Sequence, residues 1–367
     1  MDLMNTQKIA LVHDWLVTDA GAEKVLRAFI EIFPDADIYS LVDFLDKTQR
    51  ENILKGKNVH TTFIQKLPFA KKHFRNYLPL FPLAIEQFDL RKYDLVISSS
   101  WAVAKGVKTT NKQLHICYCH TPIRYAWDLY EEYIKDLKEP KKTFVKLTLA
   151  YLRRWDLKSL PRVDHFIANS HYVAKRIKKT YKRDATVIYP PVDTKNFFCQ
   201  THKEDFYLSA SRLVAYKKTL LIVEAFNTMP EKKLVVIGEG EEYEKLKAIA
   251  KSNITLLGYK EKKELIAYMQ KAKAFVYAAL EDFGIVPLEA LSCGTPVIAY
   301  GKGGTAESIQ DKKSGIHFHE QSIQSICEAI EDFENFSFDP KELSKRAETF
   351  STERFTKEIK DFLQALQ

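Results

Sequence analysis

The chain has 367 residues, 46% of them hydrophobic, which is long for one core and comfortable for two. Residues 1–194 carry 32 Lys and Arg against 22 Asp and Glu, and the remainder carries 24 against 26, so the net charge of +8 comes from the first half. No apolar run approaches the ~20 residues of a membrane-spanning helix, and five scattered cysteines argue against a disulfide framework. With no signal peptide in residues 1–8, we expect a cytoplasmic protein.

The first half begins with a nucleotide-binding type of α/β unit. A buried strand at 8–13 is followed by a loop from Asp14 to Ala20 and a helix over 21–32. The junction of loop and helix contributes one glycine, Gly21, which by itself is a weak signal for phosphate binding.

Two patterns suggest a metal and are better explained otherwise. Asp35 and Asp37 have D-x-D spacing, but they lead into a strand, and such a pair is usually solvated. Cys117 and Cys119 share one face of a strand next to His120, but no fourth ligand is near, so we expect core packing. The sequence predicts no metal site.

Two stretches, 63–82 and 135–162, mix basic residues with aromatic and aliphatic ones. At helical spacing each would have a basic flank and an apolar stripe, which suits an anionic membrane surface at about 1 kcal/mol per basic residue. The alternative is that both are ordinary amphipathic helices with their stripes in the core. No nucleic-acid-binding motif accompanies the charge.

Further strands of the first half are expected at 93–100, 114–119, 165–168 and 185–189. His120 follows the strand at 114–119, where a side chain can reach a ligand. The proline-containing segment 190–193 stops regular structure and indicates a domain linker.

The second half alternates strands and helices from 206 to 297, which predicts a parallel sheet with right-handed crossovers. Gly238 and Gly240 follow one of these strands, but the third glycine of a dinucleotide fingerprint is Tyr243. A single helix is expected over 341–367.

Two loops of the second half carry charge at strand ends. Arg212 and Lys217 flank a loop, and two fixed cations there can neutralise a leaving diphosphate without a metal. Glu281 and Glu289 bracket a turn and the start of a helix after the strand at 274–279. The backbone N–H groups near Gly284 would be free donors for a phosphate or a sugar.

These motifs resemble those of family 4 retaining glycosyltransferases. The carboxylates have the E-x7-E spacing, and the cations have the R-L-x-x-x-K spacing. Residues 20–24 resemble the family's G-G-A-E-R/K turn, with Ala20 in place of the first glycine. Residues 120–128 (His-Thr-Pro-Ile-Arg-Tyr-Ala-Trp-Asp) resemble a segment of bacterial polysaccharide and lipopolysaccharide mannosyltransferases, whose histidine lies close to the transferred sugar.

The resemblance implies a GT-B fold, in which two Rossmann-like α/β domains face each other across a cleft. The expected acceptor-side domain is 1–193 and the nucleotide-sugar domain is 194–349. A C-terminal helix at 350–367 is expected to cross back to the first domain.

The resemblance also implies roles for individual residues. Glu289 is expected to hold the ribose, Glu281 the transferred sugar, and Arg212 with Lys217 the diphosphate. The expected catalytic residues are Glu281, His120, Lys217 and Arg212. The expected donor-binding residues are Gly21, Arg212, Lys217, Glu281, Phe283, Gly284, Ile285, Val286 and Glu289. The expected contacts to the acceptor or sugar are Asp14, Arg124 and Tyr125.

The expected reaction moves a hexose, mannose from GDP-mannose by the 120–128 signature, onto a lipid-linked saccharide at the inner face of the cell membrane. No cofactor is expected. Front-face transfer and double displacement through a carboxylate both remain open. The alternatives are a UDP-sugar donor, a sugar-nucleotide epimerase of the same fold, a Rossmann oxidoreductase and a non-catalytic membrane-associated assembly protein.

Overall fold

The computed structural model describes residues 8–135 and 137–366. The first seven residues, on which the signal-peptide prediction rests, lie outside this part of the chain, as do Asp136 and Gln367. Contacts divide the chain into two units, Met1–Tyr189 (unit 1) and Pro190–Gln367 (unit 2). The division falls at the proline segment that the sequence marks as a linker.

Unit 1 is built on a seven-stranded parallel sheet of order β3-β2-β1-β4-β5-β6-β7. Its strands are β1 (Ile9–His13), β2 (Asp37–Ser40), β3 (Val59–Thr61), β4 (Leu95–Ser100), β5 (Leu114–Cys119), β6 (His165–Ala168) and β7 (Thr186–Val187). Its helices are α1 (Gly21–Ile32), α2 (Lys47–Leu54), α3 (Ala70–His73), α4 (Phe81–Ile85), α5 (Tyr130–Ile134), α6 (Lys141–Ser159) and α7 (His171–Tyr181). The central strands are buried along their whole length because helices cover both faces of such a sheet.

Unit 2 has a six-stranded parallel sheet of order β10-β9-β8-β11-β12-β13. Its strands are β8 (Tyr207–Ala210), β9 (Leu234–Ile237), β10 (Ile254–Leu256), β11 (Ala274–Tyr277), β12 (Val297–Tyr300) and β13 (Gly315–Phe318). Its helices are α8 (Thr219–Asn227), α9 (Tyr243–Ile249), α10 (Lys262–Lys271), α11 (Ile285–Ser292), α12 (Thr305–Ser308), α13 (Ile323–Glu334), α14 (Pro340–Glu348) and α15 (Thr352–Gln364).

Both sheets have the doubly wound topology, so the predicted fold class is confirmed. In each, the strand order reverses beside the first strand, between β1 and β4 in unit 1 and between β8 and β11 in unit 2. Ligands of open α/β sheets bind at the carboxyl ends of the strands at this switch point. The residues that follow these strands are therefore the first place to look for chemistry.

Two predicted elements were wrong in detail, and one helix was missed. Residues 63–85 form several short helices rather than one amphipathic helix, since Pro68, Pro79 and Pro82 interrupt the chain. The predicted helix at 341–367 is two helices, because Ser351 caps α15 through a hydrogen bond from the Arg354 N–H. Helix α13 was not predicted, although its buried apolar residues have helical spacing.

Candidate active site

A lysine, a glutamate and a tyrosine form the charged centre of unit 2. Lys217 Nζ lies 2.5 Å from Glu281 Oε1 and 2.9 Å from the Tyr277 hydroxyl. The Tyr277 hydroxyl in turn donates to the same Oε1 over 2.9 Å. Lys217 follows β8, Tyr277 ends β11 and Glu281 comes just after it, so the switch point of the sheet brings all three together.

The electrostatics of this triad keep the lysine charged. Burial lowers the pKa of Lys217, but Tyr277 and Glu281 outweigh burial and raise the pKa above its usual value. Both hydrogen bonds to Glu281 end on Oε1, and no described residue donates to Oε2. That oxygen can therefore accept hydrogen bonds from the hydroxyl groups of a sugar.

Gly303 and Gly304 pack against the backbone of the Glu281 loop. The Gly304 N–H donates to the Glu281 carbonyl over 2.8 Å, and Gly303 forms a parallel bridge with Glu281. A Cβ atom at Gly304 would lie 2.3 Å from the Asp282 carbonyl oxygen and from Phe283 Cα. Any side chain at this position would displace the loop that carries the carboxylate.

Helix α11 begins at this loop with an open N-terminus. Gly284 is its N-cap residue, with φ +89°, and supplies no side-chain cap. The next residues, Ile285 and Val286, belong to the first turn, where N–H groups and the helix dipole favour an anion. The fully buried Thr305 hydroxyl, without a hydrogen-bond partner among the described residues, would lie 3.0 Å from a Cβ atom at Gly284.

The remaining donor-side residues take three different positions. Arg212 is exposed beside Tyr216, whose hydroxyl accepts from Nη2 over 3.1 Å. Glu289 lies on α11 and is only 3% exposed. Phe283 is also 3% exposed, and its ring packs 5.8 Å from that of Phe350, so the Phe283 side chain belongs to the core.

The loop that carries Arg212 explains the two glycines after β9. A Cβ atom at Gly238 would lie 1.9 Å from the Ser211 carbonyl oxygen, and one at Gly240 would lie 2.2 Å from the Leu213 carbonyl oxygen. The Leu213 N–H also donates to the Glu239 carbonyl over 2.8 Å. These glycines allow two loops to pack backbone against backbone, which is a different use from a dinucleotide fingerprint.

In unit 1, Asp14 is committed to the backbone. Its two carboxylate oxygens accept four N–H bonds of 2.5–2.7 Å, from the consecutive residues 101–104. Burial raises the pKa of Asp14, and these hydrogen bonds oppose the rise. The carboxylate fixes the turn after β4 and has its acceptor sites filled by these bonds, which leaves little capacity for a sugar.

His120 lies at the end of a polar chain. Its Nε2 is 2.8 Å from Ser99 Oγ, which is 3.1 Å from His13 Nδ1. His13 Nε2 is 3.6 Å from Glu23 Oε1. Burial and the neighbouring His13 lower the pKa of His120 to about 3, so its imidazole is neutral at physiological pH. Gly21 is the first residue of α1, after the N-cap residue Ala20, and lies in the same helical turn as Glu23.

Several residues of the segment 120–128 bind it to the rest of unit 1. Arg176 on α7 donates to the Thr121 hydroxyl over 2.7 Å and pairs with Asp128, while Trp127 Nε1 donates to Asp156 over 2.8 Å. These contacts hold the segment in place.

Two members of the same segment were predicted to contact the acceptor or sugar. Arg124 is half-buried, and the Tyr125 ring packs 6.0 Å from that of Tyr133. The buried Tyr125 hydroxyl has no hydrogen-bond partner in residues 8–135 and 137–366. Tyr125 therefore keeps an unused polar group in the segment that begins at His120.

The D-x-D pair is a surface feature. Asp37 accepts hydrogen bonds from Tyr93 and, over 3.2 Å, from Lys92, and Asp35 is exposed. Within the described ranges, no three His, Cys, Asp or Glu side chains lie together as metal ligands. Cys117 and Cys119 are free, buried and part of the apolar core, as predicted.

The sequence interpretation missed Tyr277, Ser99, His13 and Glu23. A signal existed for three of them, because His13 ends β1, Ser99 lies near the end of β4 and Tyr277 ends β11. All three are at the switch points, where polar residues on otherwise apolar strands are informative. Glu23 gave no such signal, since it occupies an ordinary first-turn position of a helix.

Family models match both halves of the chain. Residues 21–196 match "Glycosyltransferase Family 4", and residues 194–350 match "Glycosyl transferases group 1". The chain is 28% identical over 193 residues to an uncharacterized glycosyltransferase of Methanocaldococcus jannaschii, covering 51% of this chain and 54% of that protein. It is 25% identical over 253 residues to the O-antigen chain mannosyltransferase RfbU of Salmonella typhimurium, covering 65% and 70%.

A solved structure has the same fold along nearly the whole chain. The Anabaena protein Alr3699/HepE in complex with UDP-glucose superposes with a TM-score of 0.72 at 18% identity, covering 97% of this chain and 99% of that one. The sequence match to the Methanocaldococcus jannaschii protein spans only about half of that protein. The two family models nevertheless adjoin and together run from residue 21 to residue 350, and the chain belongs to the family 4, group 1 glycosyltransferases.

Proposed function

We propose that this glycosyltransferase moves a hexose, with retention and without a metal, from a nucleoside-diphosphate sugar to a lipid-linked saccharide. The observation that carries the proposal is the Lys217–Glu281 pair beside the open N-terminus of α11. A cation, N–H donors and a carboxylate with one unused oxygen are what a sugar diphosphate requires. Charge develops on the diphosphate as the bond to the sugar breaks, and fixed positive groups favour that state.

Each group has a role in this proposal. Lys217 and Arg212 hold the diphosphate, helped by the N–H groups of Gly284 and Ile285. Glu281 Oε2 accepts from hydroxyl groups of the hexose, and Glu289 accepts from the ribose. His120, with Arg124 and Tyr125, contacts the hexose or the acceptor. The departing phosphate can take the acceptor proton on the same face, which gives retention, and Glu281 is the carboxylate available for a double displacement.

We favour GDP-mannose as the donor. The support is the 120–128 segment, together with the similarity to a protein named as a mannosyltransferase. UDP-glucose is the ligand in the structural neighbour, so a UDP-sugar is the second candidate.

A thermal-shift screen tests the donor side. We expect GDP at 100 times its Kd to stabilise the protein by about 2.7 kcal/mol, which corresponds to roughly 5–10 °C for a unit of this size. The shift should persist in chelator and weaken in Glu289→Gln, which keeps the shape of the side chain. A larger shift with UDP would change the proposed donor to a UDP-sugar. A shift with NAD alone would reject the glycosyltransferase proposal for this site.

The acceptor proposal rests on an exposed face of α6, formed by Phe144, Leu147 and Tyr151. These side chains are 61%, 67% and 46% exposed. Exposed Lys141, Lys146, Arg154 and Lys158 lie on the same helix. Buried Leu149 and Leu152 pack against Leu78, so the helix has an inner and an outer apolar side. No helix in the described chain is long and apolar enough to cross a bilayer.

We therefore expect binding to anionic vesicles through this outer face. Replacing Phe144 and Leu147 by serine should weaken co-sedimentation with phosphatidylglycerol vesicles at least tenfold, because burying each side chain contributes about 1.5–3 kcal/mol. Leu157→Ser is the matched control, since Leu157 is 43% exposed and lies about 100° around the helix from this face. Equal binding by the double variant and the control would contradict membrane docking here.

A further inference from the structure

A chain of polar side chains runs inward from His120 through three elements of unit 1, with hydrogen bonds from His120 to Ser99 and from Ser99 to His13. Ser99 on β4 and His13 on β1 are register partners in the sheet, and Glu23 lies in the first turn of α1. His13, Ser99 and Glu23 are 0%, 2% and 3% exposed. Water therefore has little access to these side chains. His13 Nε2 has no hydrogen-bond partner among the described residues, and the Glu23 carboxylate faces it at 3.6 Å.

The single Ser99 hydroxyl proton makes the chain directional. Ser99 Oγ lies between two ring nitrogens, His13 Nδ1 and His120 Nε2. It can donate to only one of them, so the other must carry a proton and donate to Ser99. The protonated nitrogen of one histidine therefore determines that of the other.

Glu23 selects one of the two directions. Its Oε2 accepts from the Ala20 N–H over 3.1 Å, and its Oε1 lies 3.6 Å from His13 Nε2. A carboxylate facing Nε2 at this distance favours a proton on that nitrogen. In a neutral His13 the proton is then absent from Nδ1, so Ser99 donates to His13 and His120 Nε2 donates to Ser99.

We propose that Glu23, acting through His13 and Ser99, fixes the proton of His120 on Nε2 and leaves Nδ1 as a hydrogen-bond acceptor for a hydroxyl group of the transferred hexose. Nδ1 has no hydrogen-bond partner among the described residues, so it is the ring nitrogen available to a ligand. Glu23, His13 and Ser99 are positioning residues. The part of this inference that names the hexose rests on the proposed function, and the tautomer does not.

The variant Glu23→Gln should reverse the chain. The Ala20 N–H requires an oxygen atom from residue 23, so the amide NH₂ of the glutamine faces His13 Nε2 and donates to it. His13 then carries its proton on Nδ1 and donates to Ser99. Ser99 donates to His120 Nε2, and His120 keeps its proton on Nδ1.

The protein contains an internal reference with the opposite tautomer. His115 Nδ1 lies 2.7 Å from the Arg162 carbonyl oxygen, which can only accept, so the His115 proton is on Nδ1. Its Nε2, 2.9 Å from Ser98 Oγ, accepts from that hydroxyl. Burial lowers the pKa of His115 to about 4, so this ring is also neutral.

The test is a two-bond ¹H–¹⁵N spectrum of the full chain labelled on its ten histidines, recorded at pH 8 and assigned by single-histidine substitutions. We expect His120 to be protonated on Nε2 and His115 on Nδ1. Glu23→Gln should move the His120 proton to Nδ1. Ser99→Ala, the second variant if Glu23→Gln does not fold, should leave His120 as a mixture. Ser98→Ala should change the ring signals of His115 and leave those of His120 unchanged.

Three spectra would overturn the proposal. They are a His120 proton on Nδ1 in the unaltered protein, a His13 protonated on both nitrogens, and a Glu23→Gln variant whose His120 is unchanged.

A binding measurement separates this inference from the proposed function. Glu23→Gln should lower the affinity for the nucleotide sugar about tenfold, which is the effect of one hydrogen bond. It should leave the affinity for the nucleoside diphosphate unchanged. If neither ligand binds the unaltered protein, the proposed function fails while the tautomer result stands. If the tautomer reverses and sugar affinity is unchanged, His120 does not accept from the hexose.

Discussion

Replacing Lys217 by methionine should lower kcat by about 10²–10³-fold, the effect of removing one preorganised charge from a site where negative charge develops. Methionine keeps most of the length of the side chain and removes only the ammonium group. Lys217 is the one member of the triad that can oppose the charge of a leaving diphosphate, and its raised pKa keeps it protonated throughout the pH range of the assay. The measurement is steady-state transfer with saturating donor.

The matched control is Lys245→Met, which removes an exposed lysine from α9 in the same unit. It should leave kcat within twofold of that of the unaltered enzyme. A Lys217→Met enzyme with unchanged kcat and a higher KM would mean that the lysine binds the donor equally in the ground state and the transition state. Unchanged kcat and KM would remove Lys217 from the mechanism.

Replacing Asp156 by asparagine should destabilise unit 1 by about 3–5 kcal/mol, since removing one partner of a buried ion pair leaves the other charge unpaired. Asp156 pairs with Lys105, and their side chains are 0% and 2% exposed. The same carboxylate accepts from Trp127 over 2.8 Å and from Tyr181 over 2.9 Å. Burial lowers the pKa of Lys105, and Asp156 more than compensates.

Thermal unfolding followed by circular dichroism measures this effect, with an expected fall of about 6–20 °C in the midpoint for unit 1. Asp184→Asn is the matched control, because its pair with Lys178 is exposed and contributes at most ~1 kcal/mol. The double variant Lys105→Met, Asp156→Leu should recover much of the loss. A double variant as unstable as Asp156→Asn would show that the hydrogen bonds of Trp127 and Tyr181 matter more than the ion pair.

The alternation of strands and helices could be predicted because its signal is local. Helix α1 has the predicted bounds of 21–32, and β5 and β6 have the predicted bounds of 114–119 and 165–168. The break at Ser351 and the short helices around Pro79 depend on single capping or proline residues inside an otherwise helical pattern. Overall periodicity conceals such breaks.

The position of the candidate site could be predicted where charged residues follow the end of a strand. Lys217 and Glu281 were predicted as one site, and the structure places their side chains in contact. Asp14 shows the opposite case, because a carboxylate that holds four backbone N–H groups has the same sequence appearance as one that holds a ligand. The polar chain behind His120 joins residues far apart in sequence, and the registers of β1 with β4 and of β4 with β5 bring His13, Ser99 and His120 together.

The internal pairing of Lys217 with Glu281 also has a consequence for selectivity among small anions in the cell. Before the donor arrives, the ammonium group is already paired with a carboxylate. Inorganic phosphate therefore has to separate the pair, and its negative charge repels the carboxylate. A sugar diphosphate supplies oxygens to the lysine and hydroxyl groups to the glutamate in a single binding event. Under the proposed function, only a molecule that carries both a diphosphate and sugar hydroxyl groups separates the resting pair. Abundant simple phosphates therefore compete poorly.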